Sequence, residues 1–236
     1  MVTENKTKEN PIIDAMFAAG AHFGYQKSRR NASISPYIFG LKNKVEIIDL
    51  EKTAEMLRTA QAFVEDLAKA GKQILFVGGK SEAASFVKMG AMSIDMPYVA
   101  SRWIGGALTN AVEIKKRVAK FEDLQKQKEK GELAKYTKKE RLLIDREIDN
   151  LDEMFSGIVS MRDLPKALFV IDPRKEFIAV AEAKKMGVPV IALLNTDSDI
   201  KDIDYPIVAN DASTTSISLF VNEIVKAYKA GKLAKV

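Results

Sequence analysis

Four groups of residues in this chain have the type and spacing to do chemistry. Val77-Gly78-Gly79-Lys80-Ser81 follows an apolar run and opens a helical pattern, so a phosphate-cradling loop has to be considered. That loop needs a glycine five residues before the glycine preceding the lysine, and the position is Ile74, inside the apolar run. The dinucleotide fingerprint fails as well, because Gly78 and Gly79 lack its third glycine. A tight strand-to-helix turn is the reading that remains, with a helix start able to touch at most a single RNA phosphate. His22 is the only histidine, so a metal site built on several histidines is excluded, and no Gly-x-Ser-x-Gly elbow accompanies it. Packing is the simpler role for His22. Asp197, Asp199, Asp202 and Asp204 could offer oxygen ligands to magnesium or calcium. Their spacing lacks the glycine and terminal glutamate of a calcium loop, and a solvated acidic loop is expected. Asp172-Pro173-Arg174-Lys175 could place a catalytic aspartate at a strand end. Pro173 followed by Glu176 also makes an ordinary helix start with Asp172 as its cap, and no partner acid or base accompanies it. No catalytic residue, no metal ligand set and no cofactor is therefore expected.

The basic residues point elsewhere. Lysine and arginine number 37 against 32 acidic residues, so a polyanion-binding surface has to come from segregated charge rather than overall excess. Three segments are enriched: Lys27, Arg29 and Arg30; Lys42 and Lys44; and a run that starts at Lys115, Lys116, Arg117 and Lys120 and continues to Lys138, Lys139 and Arg141. Tyr25, Tyr37 and Trp103 lie near these segments or near Arg102, adding flat rings to the cations. Phosphate contacts with occasional stacking fit this mixture, and Tyr25, Lys27, Arg29, Arg30, Lys42, Lys44, Arg102, Lys115, Lys116, Arg117 and Lys120 are the candidate RNA-binding residues. No RRM or KH signature is present, so recognition should depend on shape and backbone.

Composition narrows the class. At 236 residues and 47% apolar content, the chain has material for one large packed domain with an insertion. Cysteine is absent, which removes disulfides, thiolate metal sites and cysteine nucleophiles. Met1 to Asn10 form a polar tail without the apolar core of a signal peptide, and no apolar run is long enough to span a membrane. A cytoplasmic setting with no membrane partner is expected.

Those candidates must be positioned by an alternation of strands and helices. Ile12 to Phe17 read as a short helix stopped by Gly20. Tyr37–Phe39 and Val45–Ile48 read as a hairpin around a turn containing Gly40. A helix follows from Leu50 to Ala70, then a strand at Ile74–Val77, a helix at Ser81–Met89 and a strand at Tyr98–Ala100. From Asn110 the pattern changes to two long charged helices, with Ile114, Val118, Phe121 and Leu124 on one and Ile144, Ile148, Leu151 and Phe155 on the other. Gly131 separates them, which suggests an antiparallel hairpin. Trp103 is expected to be buried, wedging that hairpin against the sheet. Strands at Ala167–Ile171, Val190–Leu194 and Ile207–Ala209 resume, with helices near Lys175–Met186 and Thr214–Ala230. Continuous apolar strands alternating with helices imply an α/β parallel sheet with helices on both faces. The domains are then 11–109 with 158–236 as the α/β body and 110–157 as a helical insertion.

Gly20-Ala-His-Phe-Gly-Tyr-Gln26, the run from Tyr37 to Thr53 with its polar insert Lys42-Asn43-Lys44, and Ser101-Arg-Trp-Ile-Gly-Gly-Ala-Leu-Thr-Asn110 resemble signatures of the bacterial-type second protein of the small ribosomal subunit. Thr137-Lys-Lys-Glu140, Ala167 to Asp172 and Asn195 to Asp199 are similar to later segments of that family, and the likeness runs from about Ala15 to Lys232. The family usually carries a second histidine where this chain has Tyr25, and Arg29 to Pro36 departs from its wording. The resemblance implies a flavodoxin-like, Rossmann-like sheet with a protruding antiparallel coiled-coil hairpin. It implies a structural constituent of the small subunit, bound to small-subunit rRNA between head and body and joining late in assembly. Its implied partners are neighbouring small-subunit proteins, among them the mRNA-binding first protein. Two other classes stay open on the residues alone. A nucleotide-dependent enzyme would need a complete phosphate loop, and a protein-binding module built on the hairpin would bind without sensitivity to salt.

Overall fold

The computed structural model describes residues 11–161 and 163–234; the expected polar tail 1–10 lies outside them. In chain order the elements are α1 (Pro11–Ala18), β1 (Phe23–Gln26), β2 (Ile38–Lys42), β3 (Val45–Ile48), α2 (Leu50–Lys69), β4 (Ile74–Val77), α3 (Ser81–Met92) and β5 (Tyr98–Val99). They continue with α4 (Ala111–Glu129), α5 (Lys138–Phe155), β6 (Ala167–Ile171), α6 (Phe177–Met186), β7 (Val190–Leu194), β8 (Tyr205–Val208) and α7 (Thr214–Leu233).

Five strands pair in parallel in the order β5-β4-β6-β7-β8. Counted along the chain, that is the 2-1-3-4-5 order of flavodoxin-like sheets. Every residue of β4, β6 and β7 is buried, as expected of strands covered on both faces. Alternation along the strand divides the core. Ile74 and Phe76 enter one apolar cluster with Phe169, Leu57, Val64, Phe220 and Ile224, which places α2 and α7 on that face. Leu75 and Val77 enter the other with Leu168, Val170 and Ala183 of α6.

A second, three-stranded antiparallel sheet has the order β1-β3-β2. Its turn corrects the sequence expectation. Gly40 lies within β2, beside a register shift between Ile38 and Gly40, and the reversal is made by Asn43 and Lys44 at φ 51° and 67°. Two successive left-handed residues make the tight hairpin turn whose twist suits antiparallel strands, and asparagine tolerates that region better than most side chains. Strand β1 was not anticipated, because Phe23-Gly-Tyr-Gln26 is too short and too polar to show alternation.

The insertion consists of α4 and α5, joined through Gly131 at φ 72° and a short 3-10 turn, Glu132–Lys135. Thr137 and Glu140 form a reciprocal capping box that starts α5. Lys120 pairs with Glu147 at 2.5 Å and Lys128 with Asp145 at 2.8 Å, so the two helices run antiparallel. The roots of the pair belong to the core. Ile114, Phe121, Ile148, Leu151 and Phe155 join the cluster containing Leu75 and Val77. Removing residues 122–147 and closing the gap with a short turn should therefore leave a protein that melts in one cooperative transition. Removing 110–157 takes large buried side chains from the core, each worth roughly 2–5 kcal/mol, and should abolish or broaden that transition. Thermal denaturation followed by circular dichroism distinguishes the two.

Candidate nucleic-acid interface

The carboxyl ends of the parallel strands form the edge at which open α/β sheets usually take ligands, above all where strand order reverses, here between β4 and β6. In this protein that edge is filled from within. Gly79 donates its N–H to Glu176 Oε1 at 3.2 Å, and its carbonyl accepts from Lys175 Nζ at 3.0 Å. A Cβ at Gly79 would lie 2.4 Å from the Ser101 carbonyl oxygen, so glycine is required by the neighbouring backbone and not by a phosphate. Lys80 does not reach outward. Its ammonium lies 3.2 Å from Asp172 and 3.5 Å from Asp211, whose other oxygen accepts from Asn195 Nδ2 at 3.0 Å. Burial and the nearby Asp172 charge push the Asp211 carboxyl up to about 6, while Lys80 and Asn195 oppose the shift.

Asp172 has a different local role from the one its sequence suggested. It sits at φ 62° and receives Lys175 N–H on its side chain, capping a turn, while α6 begins only at Phe177 with Glu176 at its N-cap position. The extra turn is needed to bring Glu176 under Gly79. The acidic loop after β7 is solvent-exposed at Asp199, Asp202 and Asp204, as expected, and Asp199 accepts from Lys201 N–H at 3.1 Å. Asn195, Thr196 and Ser198 are buried; Asp197 pairs with Arg174 at 2.5 Å, Lys184 pairs with Asp202, and Asp204 accepts from Val190 N–H at 2.8 Å. Each carboxylate has its own partner, and among the described residues no group of three potential ligands could hold a metal ion.

The first motif docks on this edge through its backbone. Tyr25 N–H donates to Thr196 Oγ1 at 2.9 Å, and Asn31 N–H donates to the Thr196 carbonyl at 2.8 Å. A Cβ on Gly24 would lie 2.6 Å from Thr196 Cγ2. His22 is held between Phe17 and Phe23, with ring centroids 4.4 and 4.0 Å away; burial and the Lys42 charge lower its pKa, which favours the neutral ring. Packing is what the geometry shows for it.

Strand register gathers basic residues that the sequence separates. Gln26 of β1 and Lys42 of β2 both lie opposite Val45 of β3. Lys27, Lys42 and Lys44 thus share one exposed end of the small sheet. Arg29 stands over the Tyr25 ring at 5.5 Å. Arg30 is bound at 3.2 Å to Glu46, a carboxylate 2% exposed, so its first duty is to neutralise a buried charge. The candidates on α4 do not form one face. Lys115 lines a groove with Ile158, Val159, Met161 and Leu164, Lys116 pairs with Glu113 at 3.2 Å, and Lys120 pairs with Glu147. Both pairs are solvent-exposed and contribute little, so the cations stay available to a stronger anion. Arg102 is exposed at the start of the loop leading to α4, and Arg117 is exposed on α4.

That loop depends on a residue the sequence did not single out. Glu182 of α6, 8% exposed, accepts hydrogen bonds from Trp103 Nε1, the N–H groups of Gly106, Leu108 and Thr109, and the Thr109 hydroxyl, at 2.7–3.2 Å. Burial raises its pKa, but the donors outweigh that effect and hold it below the usual carboxylate range. Trp103 is buried as expected, and it is this carboxylate that holds it.

The sequence profile of the family described as Ribosomal protein S2 matches residues 16–231. The chain belongs to the ribosomal protein S2 family. Relatives named small ribosomal subunit protein uS2 include one from Coprothermobacter proteolyticus, 42% identical over 93% of this chain and 82% of its own length. The Nitratiruptor protein is 43% identical over 92% and 81%, and that of Geotalea uraniireducens 41% over 96% and 88%. The family match spans both sheets and the helical insertion alike.

Two outcomes test this site. Glu182→Gln should cost about 3 kcal/mol at neutral pH, because an amide can satisfy only part of the converging donors. Since the folded pKa of Glu182 is lowered, its contribution is present above the ordinary glutamate range and is lost as pH falls through the folded value. The stability gap between wild type and variant, followed by urea denaturation, should therefore shrink on acidification. Calorimetry with ATP, GTP or NAD and magnesium should show no binding; micromolar affinity would contradict the sealed edge at Lys80.

Proposed function

We infer that this protein is a structural constituent of the small ribosomal subunit that works by binding small-subunit rRNA and not by catalysis. The family match over residues 16–231 carries the reading. Two features of the geometry support it. The one loop with a nucleotide-like pattern has spent its glycine N–H on Glu176 and its lysine on Asp172 and Asp211. Exposed cations gather at the end of the small sheet, and others are spread around α4, where phosphates can reach them from solvent. Placement between head and body, late joining and cytoplasmic residence in the subunit follow from the resemblance.

Beside the basic sheet end lies an apolar face, on which Phe17, Phe23, Phe39 and Leu41 are 64%, 47%, 79% and 58% exposed around His22 and Ile47. Aromatic groups left in water at this density suit a protein neighbour better than RNA backbone. A neighbouring small-subunit protein is the proposed occupant, and the mRNA-binding first protein is the one the resemblance implies.

The tagged protein should co-sediment with small subunits from cell extract. Binding of purified protein to small-subunit rRNA should weaken with salt, each cation that displaces a counterion adding about 0.7–0.9 to the slope of log affinity against log salt. Replacing Lys27 and Lys42 by alanine and Lys44 by asparagine, which keeps the left-handed turn, should flatten the slope by about 2–3. Lys226 and Lys229 on α7 serve as controls. An unchanged slope in the triple variant, with loss only in the controls, would place RNA on the opposite surface.

A further inference from the structure

Helix α6 turns toward solvent a face that the fold does not use. Phe177, Ile178, Ala181, Lys184 and Lys185 recur at helical spacing and are all exposed, Phe177 by 64% and Ile178 by 42%. Neither Phe177 nor Ile178 belongs to either core cluster. Both glutamates of this stretch point away from that face. Glu176 accepts from Gly79 N–H at 3.2 Å, and Glu182 is bound to the loop 103–109. The cations around the face fall into two kinds. Arg174 is bound to Asp197 at 2.5 Å, and Lys184 is bound to Asp202. Among the described residues, no carboxylate lies within ion-pair distance of Lys175 or Lys185.

Local stability accounts for only part of this arrangement. Cations suit the last turn of a helix, so Lys184 and Lys185 have a local reason to be there. Phe177 and Ile178 have none. Aromatic and β-branched side chains are poor helix formers, and neither type caps a helix start. Adjacent apolar residues rimmed by ion pairs and free cations have the anatomy of a protein interface. RNA suits the face less well. Ile178 and Ala181 offer no ring to a base, and Asp197 and Asp202 stand beside the cations that a phosphate would need.

We propose that this face of α6 is the docking surface for an acidic amphipathic helix of another protein in the small subunit. The partner's apolar stripe covers Phe177, Ile178 and Ala181, and carboxylates beside that stripe pair with Lys175 and Lys185. The 10 residues of α6 span ~15 Å, a length that about three turns of a partner helix would match. This surface rests on the small-subunit reading for where its partner is found. It shares no residue with the aromatic face around His22, so it adds a second protein contact to that reading.

The test uses the full chain with Ala181 exchanged for photoreactive benzoylphenylalanine, assembled into small subunits in cells and irradiated after their isolation. Mass spectrometry should find one cross-linked protein segment in which apolar residues at helical spacing are flanked by Asp or Glu. Adding Phe177→Ser and Ile178→Ser should cut the yield about tenfold, because two apolar anchors are lost. Both side chains lie in solvent, so this variant should melt with wild type and still enter small subunits. Lys185→Glu should cut the yield about threefold, and by less as salt is raised. A cross-link to rRNA overturns the proposal, as does one to a segment rich in lysine and arginine. No cross-link at all, or an unchanged yield in the serine variant, overturns it too. In each of those cases the protein is still found in small subunits, and the small-subunit reading stands. Absence of the wild-type protein from small subunits would remove both.

Discussion

A single ammonium group, that of Lys80, holds together four strand ends that would otherwise repel or separate. It stands between Asp172 after β6 and Asp211 after β8, while its own loop follows β4 and the Asn195 that steadies Asp211 follows β7. A buried charge of this kind contributes little net stability compared with an apolar plug, but losing one partner leaves the others uncompensated, at about 3–5 kcal/mol. Its value lies in the arrangement it permits. With the edge neutralised, β1 can lie across it and donate to Thr196, and the small sheet can present its lysines outward. The basic surface is thus built on a site where related architectures keep an opening for a ligand.

The opposite face is organised by a charge of the other sign. Glu182 gathers five donors from a loop with no regular structure, which turns residues 103–109 into a rigid bracket between the sheet and α4. The two centres respond to acid in opposite senses. Asp211, raised to about 6, takes up a proton more readily when folded, so acidification from neutrality relieves its burial. Glu182, held low, loses its contribution only in stronger acid. One tolerates protonation while the other resists it.

The elements were largely legible in the chain because their signals are periodic. The buried runs Ile74–Val77, Ala167–Ile171 and Val190–Leu194 can be satisfied only by a sheet covered on both sides, and the charged helices after Asn110 announce themselves by length. What escaped was set by long-range geometry. Strand β1 exists because β3 and Thr196 accept it, and nothing within Phe23–Gln26 says so. Glu182 looks like any helical glutamate until the loop folds onto it. Gly40 is the stronger local turn cue, yet the reversal falls at Asn43, which tolerates the left-handed backbone. Arg30 looks like a surface cation in the sequence, since the buried Glu46 beneath it is 16 residues away and invisible to charge counting. The proximity of Lys27 to Lys42 likewise depends on β3, whose Val45 faces both Gln26 and Lys42.

The bracket around Glu182 has a mechanical consequence. The helical pair is held at its root by the loop Trp103–Thr109, and beyond Phe121, the last α4 residue in the core, α4 runs on to Glu129, ~12 Å further out. An angular error at the root grows with distance along the pair, so a tilt of about 5° there moves the outer turn by roughly 1 Å. Five hydrogen bonds to one carboxylate hold the loop that leads into α4 in a single orientation. Stiffness at the root therefore sets how accurately the outer turns are held, and a change at Glu182 would be felt in their orientation as well as in the stability of the loop.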